Sequence, residues 1–299
     1  MPDKDDVFDA FEPSIRARPD ANPWRIDGAS GDAQYEPDYD LLAELLGIPL
    51  GEGRGSETGR LAKAIDAWVA HELRRCGFPP DEVWPRLTQP RVQPREIGLL
   101  LESLPLRLRE QVRERVLRNS KVAPADARVL GRAYVKQVDV VVAQWSRGPE
   151  LLISTKSMVS SFRNNLPNRF EESYGDAKNL RGRHPLVSLG FLFVLRSTVL
   201  DEPGTFERAI DMLRKLKAEQ DVYDATCIVL AEWSDPFDGV HLRQEVVPDD
   251  LGVNRFIATL VESVLDRTPV QMHVDVRERR EHRSLPVEED DGDEASAGS

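Results

Sequence analysis

The chain has 299 residues, 40% hydrophobic and 31% charged, with two cysteines and a formal net charge of −12. That suits one large or two small globular domains, and Cys76 and Cys227 are too few for a disulfide framework or a zinc site. The negative balance excludes nucleic-acid binding only until it is located: residues 1–40 carry −7 and residues 286–299 carry −6, which leaves 41–285 at +1.

In chain order, residues 1–37 read as an irregular acidic arm, whose acidic start lacks the apolar core of a signal peptide. A helical part is expected over 38–134. It opens with a short helix at 39–47, ended by Gly47, and a flexible loop at 51–59. Its core helix, 60–76, carries Leu61, Ile65, Trp68, Val69 and Cys76 on one stripe at 3.6-residue spacing. Glu72 falls on the same stripe, where a carboxylate is costly unless paired or bound to a metal. Two readings stand for it: an edge-of-core acid with a basic partner, or an acid supporting a catalytic site. Five prolines make 79–95 a connector. Further helices are expected at 97–101, 106–117 and 123–134.

From 135 the pattern changes to strands. A hairpin is predicted from 136–142 and 150–155 around the turn Ser146-Arg147-Gly148-Pro149. A helix over 168–180 follows, then buried strands at 189–196 and 225–231, a helix at 206–219, an edge strand at 241–247 and a helix at 253–267. Residues 135–268 thus form an α/β core, a mixed central β-sheet flanked by helices. Residues 269–285 are ambiguous, and 286–299 read as a disordered acidic tail. No apolar run approaches the ~18 residues of a membrane span, so a cytoplasmic protein with no membrane association is expected.

The hairpin places an acid, Asp139, beside a strand on which Ser154 and Lys156 share a face and Thr155 points the other way. An acid and a lysine so placed perturb each other and can hold a metal and an attacking water, or can form an ordinary structural pair. The following helix carries Glu171, Glu172 and Asp176. Arg169, Glu172 and Asp176 lie on one face of it, and Glu171 points about 100° away. Net charge over 131–199 is +5, the local excess expected where phosphates bind.

The acid, the hairpin and the strand ending in x-Lys resemble the PD-(D/E)XK nuclease superfamily, loosely over about 60–265. More narrowly, Ser154-Thr155-Lys156-Ser157, then Ser161-Phe162-Arg163-Asn164-Asn165 and Asn168-Arg169-Phe170-Glu171-Glu172, resemble the segment after the catalytic lysine of XhoI-type type II restriction endonucleases. The resemblance implies a restriction-endonuclease-like fold and a Mg2+-dependent endonuclease of restriction or phage-defence type, with double-stranded DNA as substrate. It implies that Asp139, Lys156, Ser154 and a supporting Glu72 form the catalytic set. The chain departs from the pattern at Ser154, where a second acid is expected. Glu172, or failing it Glu171, is therefore expected to join Asp139 in holding Mg2+. The alternative is a catalytically inactive nuclease-fold protein that binds DNA or a partner. Ser157, Ser160, Ser161, Arg163, Asn164, Asn165, Asn168, Arg169, Lys178, Arg181 and Arg183 are the expected DNA contacts. A homodimer is implied because two strands must be cut, with a cognate methyltransferase or another defence component as a further partner.

Overall fold

The computed structural model describes residues 6–53 and 59–285. The expected acidic tail lies outside the described residues, as does the middle of the loop at 51–59.

After a 3-10 turn at Val7–Ala10 come α1 (Glu12–Arg16) and a hairpin of β1 (Trp24–Ile26) and β2 (Ala33–Tyr35). Next are α2 (Tyr39–Gly51), α3 (Arg60–Arg75), β3 (Val83–Trp84), α4 (Arg95–Ser103) and α5 (Leu106–Leu117). A second hairpin joins β4 (Ala127–Leu130) to β5 (Val135–Val138), and a third joins β6 (Val140–Gln144) to β7 (Gly148–Met158). Then follow α6 (Phe162–Arg181), β8 (Ser188–Arg196), α7 (Thr205–Ala218), β9 (Ala225–Glu232), β10 (His241–Leu242), α8 (Val253–Asp266) and α9 (Val274–Glu281).

The centre is a six-stranded mixed sheet in the order β10-β9-β8-β7-β6-β3. β7, β8 and β9 are parallel, so each step needs a crossover helix, α6 and then α7. β6, β3 and β10 pair antiparallel. Side chains alternate across the sheet: Leu151 and Ile153 join a core with α2, α3 and α8, and Leu152 joins one with α6 and α7. β8 and β9 are buried on both faces, which is why they read as unbroken apolar runs. α8 crosses β8 closely at Gly190, where a Cβ would come within 2.7 Å of Leu260 and 2.8 Å of Phe256.

Several elements differ from the sequence reading. The N-terminal arm is built in: Phe11, Trp24 and Tyr35 are buried against the first core. The helix expected at 123–134 is instead the β4–β5 hairpin, because the turn at its tip is held by α6. Asn179 Oδ1 accepts the Ala133 and Tyr134 N–H groups at 2.8 and 3.2 Å, and its amide donates to the Tyr134 carbonyl at 3.1 Å. α6 starts six residues early and runs through Pro167, since Phe162 and Leu166 anchor its first turns in the second core. The 79–95 connector supplies β3, α2 continues past Gly47, and only His241–Leu242 of the expected edge strand pairs. Residues 269–285 contain α9, held by buried Val276 and by the Arg279 pair with Asp20 at 2.9 Å. Cys76 and Cys227 are buried free thiols.

Candidate active site at the Asp139 corner

Asp139 sits where the chain passes from the β4–β5 hairpin into the main sheet. Val138 before it is buried in one core and Val140 after it in the other. The Thr155 N–H donates to Asp139 Oδ2 at 2.9 Å. The Thr155 hydroxyl, on the face turned to α3, donates to Asp66 Oδ1 at 2.5 Å. One residue of β7 thus ties two carboxylates from distant segments. Asp66 is 1% exposed, and its second partner is the Lys63 ammonium at 3.3 Å, which Asp126 shares at 3.3 Å. Burial, then the charge of Asp139, pushes the Asp66 carboxyl up to about 7. Burial also raises Asp139, against the opposing pull of Lys156, the Thr155 N–H, Lys63 and Lys136.

Lys156 projects from the opposite face of β7 toward α6, where its ammonium lies 3.5 Å from Glu172. Glu172 also accepts from Arg169 at 2.8 Å. Burial raises this carboxyl, but Lys156, Arg169 and Lys136 outweigh it and hold it below the usual carboxylate range. One turn along α6, Asp176 pairs with Lys136 at 2.5 Å and accepts from the Tyr134 hydroxyl at 3.0 Å. The Asn179 grip on the hairpin tip sets Tyr134 and Lys136 at this register. Ser154, where the second acid is expected, is buried, and Tyr223 donates its hydroxyl to the Ser173 carbonyl at 3.0 Å.

Of the expected set, the structure brings Asp139, Lys156 and Glu172 into one neighbourhood, with Ser154 behind them. Glu171 is exposed on α6. Glu72 lies elsewhere, fully buried, accepting from the Tyr35 hydroxyl at 2.6 Å and paired with Arg75 at 2.8 Å. Burial pushes it up to about 7. It is the paired core acid, not the supporting one. Six residues separate it from Asp66, about 240° around the helix and 9 Å along it, so the two cannot share a face. Asp66 is the acid that α3 gives to the corner, and sequence reasoning missed it. The available signal was Ala64, Ala67 and Ala70 around it, small residues that let this helix be buried beyond its apolar stripe.

The expected DNA contacts divide. Ser160, Ser161, Asn164, Asn165, Asn168 and Arg183 are exposed, and their side chains make no hydrogen bond among the described residues. Ser157 is half-buried, and Ser161 holds a left-handed backbone, φ 55°, at the start of α6. Arg169 is engaged by Glu172, Lys178 donates to the Gln220 carbonyl at 2.5 Å and Arg163 to that of Pro203 at 3.1 Å. Arg181 is no surface cation: it is buried, paired with Asp224 at 2.6 Å and bonded to the Val187 and Val222 carbonyls.

Among the described residues, no group of three or more His, Cys, Asp or Glu side chains is arranged to hold a metal ion. No helix of those residues is long and apolar enough to cross a membrane. No protein family, curated protein or solved structure compared with the chain matches it.

Proposed function

We propose that this chain is a Mg2+-dependent endodeoxyribonuclease of restriction or phage-defence type, with a restriction-endonuclease-like core and double-stranded DNA as substrate. The observation that carries the reading is the pair Asp66 and Asp139, buried carboxylates joined through Thr155 next to Lys156. Buried acids with raised pKa values are concentrated where chemistry is done. The lysines nearest this pair are each shared with another carboxylate, Lys63 with Asp126 and Lys156 with Glu172. With Lys136 held by Asp176 and Arg169 by Glu172, the carboxylates of Asp66, Asp126, Asp139, Glu172 and Asp176 outnumber the cations Lys63, Lys136, Lys156 and Arg169 by one, an excess that a divalent cation relieves.

Mg2+ is a hard cation that takes carboxylate oxygens. Asp139 and Asp66 are the residues that would hold it, and Asp66 takes the part expected of the acid missing at Ser154. Glu172 joins them only when released from Lys156. When bound, the ion would polarise the scissile phosphodiester and acidify water. Thr155 fixes both carboxylates. The Lys156 ammonium stabilises negative charge developing on phosphate oxygens, and Glu172 orients that ammonium. The alternative, a nuclease-fold protein that only binds DNA, is favoured by one observation: Glu172 is occupied by Lys156 and Arg169, which leaves two acids at the corner rather than three.

Cleavage of plasmid DNA with Mg2+ separates the two. Wild type should cut, Asp139→Ala, Asp66→Ala and Lys156→Ala should each lose at least about 100-fold, and Glu172→Gln should lose less. Equal cutting by all of them would remove the site. DNA binding without any cutting would select the inactive reading.

A further inference from the structure

At the far end of the β6–β7 hairpin from Asp139 lies a cleft of about 360 Å³ whose lining includes no acidic side chain. That volume falls within the roughly 300–1,000 Å³ of small-ligand sites. Val129, Val141 and Ala143 make apolar wall, and Trp84 makes aromatic wall, fixed by hydrogen bonds from its indole N–H to the Asp81 and Gln93 carbonyls at 3.2 and 3.0 Å. Trp145, at the hairpin tip, is 83% exposed, the most exposed large hydrophobic side chain of the described residues. Arg128 and Arg183 also line the cleft. Both are exposed, and among the described residues neither side chain has a hydrogen bond or ion pair. An indole free to stack, an apolar wall and two unpaired guanidinium groups together match a nucleotide: a flat base for the ring and wall, phosphates for the arginines.

We infer that this cleft binds a nucleobase of the DNA strand that runs into the Asp139 corner. The inference rests on the nuclease reading for its ligand. It is supported by continuity, since Asp139 immediately precedes β6 and Ala143 lies within it, four residues on. That is roughly 13 Å, about four steps of a B-form strand at 3.4 Å each. A base reaches such a pocket either from single-stranded DNA or by extrusion from a duplex.

The test measures binding by anisotropy of a fluorescein-labelled 20-nucleotide strand and of its duplex, in EDTA, over a salt series. Full-length wild type, Trp145→Ala, Trp145→Phe and the Arg128→Gln/Arg183→Gln double variant are compared. All three positions are exposed, and thermal unfolding checks that the variants remain folded. Trp145→Ala should weaken binding roughly 5- to 150-fold, with Trp145→Phe retaining most of the affinity. The double variant should lower the salt slope by about 2. A Trp145 effect on the single strand alone assigns an unpaired base, and an effect on the duplex assigns an extruded one. Unchanged affinity in Trp145→Ala, or no DNA binding by wild type, overturns the inference. Cleavage assayed on the same proteins keeps the two readings apart. A Trp145 effect without wild-type cleavage sinks the nuclease and spares the pocket. Asp139-dependent cleavage without a Trp145 effect does the reverse.

Discussion

Replacing Asp66 by asparagine should make the protein more stable while removing the DNA cleavage proposed for it. The Asp66 carboxyl moves from an ordinary 3.8 to about 7 in the folded chain. Between those values the native state binds more protons than the unfolded state, so stability falls as pH rises through the window. About 3 pH units at 1.36 kcal/mol each make a penalty of roughly 4 kcal/mol, absent below about pH 4 and complete above 7. An asparagine side chain at this position would not ionise, and its amide oxygen can still accept from the Thr155 hydroxyl. The substitution loses the ion pair with Lys63, which keeps Asp126. The net gain at pH 8 should be roughly 1–3 kcal/mol, shrinking to nothing near pH 4. Urea unfolding of wild type and Asp66→Asn at pH 4.5, 6 and 8 measures it directly. A variant less stable than wild type at pH 8, or a difference that does not change with pH, would refute the claim that Asp66 is a strained buried acid. Stability gained where activity is lost is the signature of a residue kept for function.

Other outcomes follow from the same structure. Asn179→Ala leaves the Ala133 and Tyr134 N–H groups without their acceptor and should cost roughly 1–3 kcal/mol, with loss of hydrogen-exchange protection at those two amides. Retained protection would mean that the β4–β5 hairpin holds its turn without α6. His71 runs opposite to Asp66: burial, then Arg75 and Arg74, pull it down to about 4 from 6.5. Between those values the unfolded chain binds the extra proton, so stability is lost as pH falls, by roughly 3 kcal/mol at the lower end. His71→Gln should lose less than wild type on going from pH 7 to 4.5, and equal losses would show that His71 is not the group responsible.

The parts legible in the sequence were those set by local periodicity. β8 and β9 announced themselves as unbroken apolar runs because both faces are covered, and α3 by its apolar stripe. The alternation on β7 correctly separated Thr155 from Ser154 and Lys156, and Asp139 was singled out by its place opposite that strand. What was not legible depended on tertiary partners. Residues 123–134 have no local feature stronger than the grip of Asn179, a residue 46 positions from Ala133. Asp66 and Glu72 are two acids on one buried helix, and only their neighbours tell them apart: Thr155 and Lys63 for one, Tyr35 and Arg75 for the other. Arg181 looked like a phosphate contact because nothing near it in sequence announces Asp224, 43 residues on.

The sheet ends on each side in a strand of only two residues, β3 and β10. Very short border strands are one of the ways proteins blunt a sheet edge against pairing with another chain. The fold is thereby guarded against edge-to-edge aggregation, although its centre is three parallel strands of aggregation-prone composition. At either border strand, continuing the sheet into a second copy of the chain would add a ladder of only two residues.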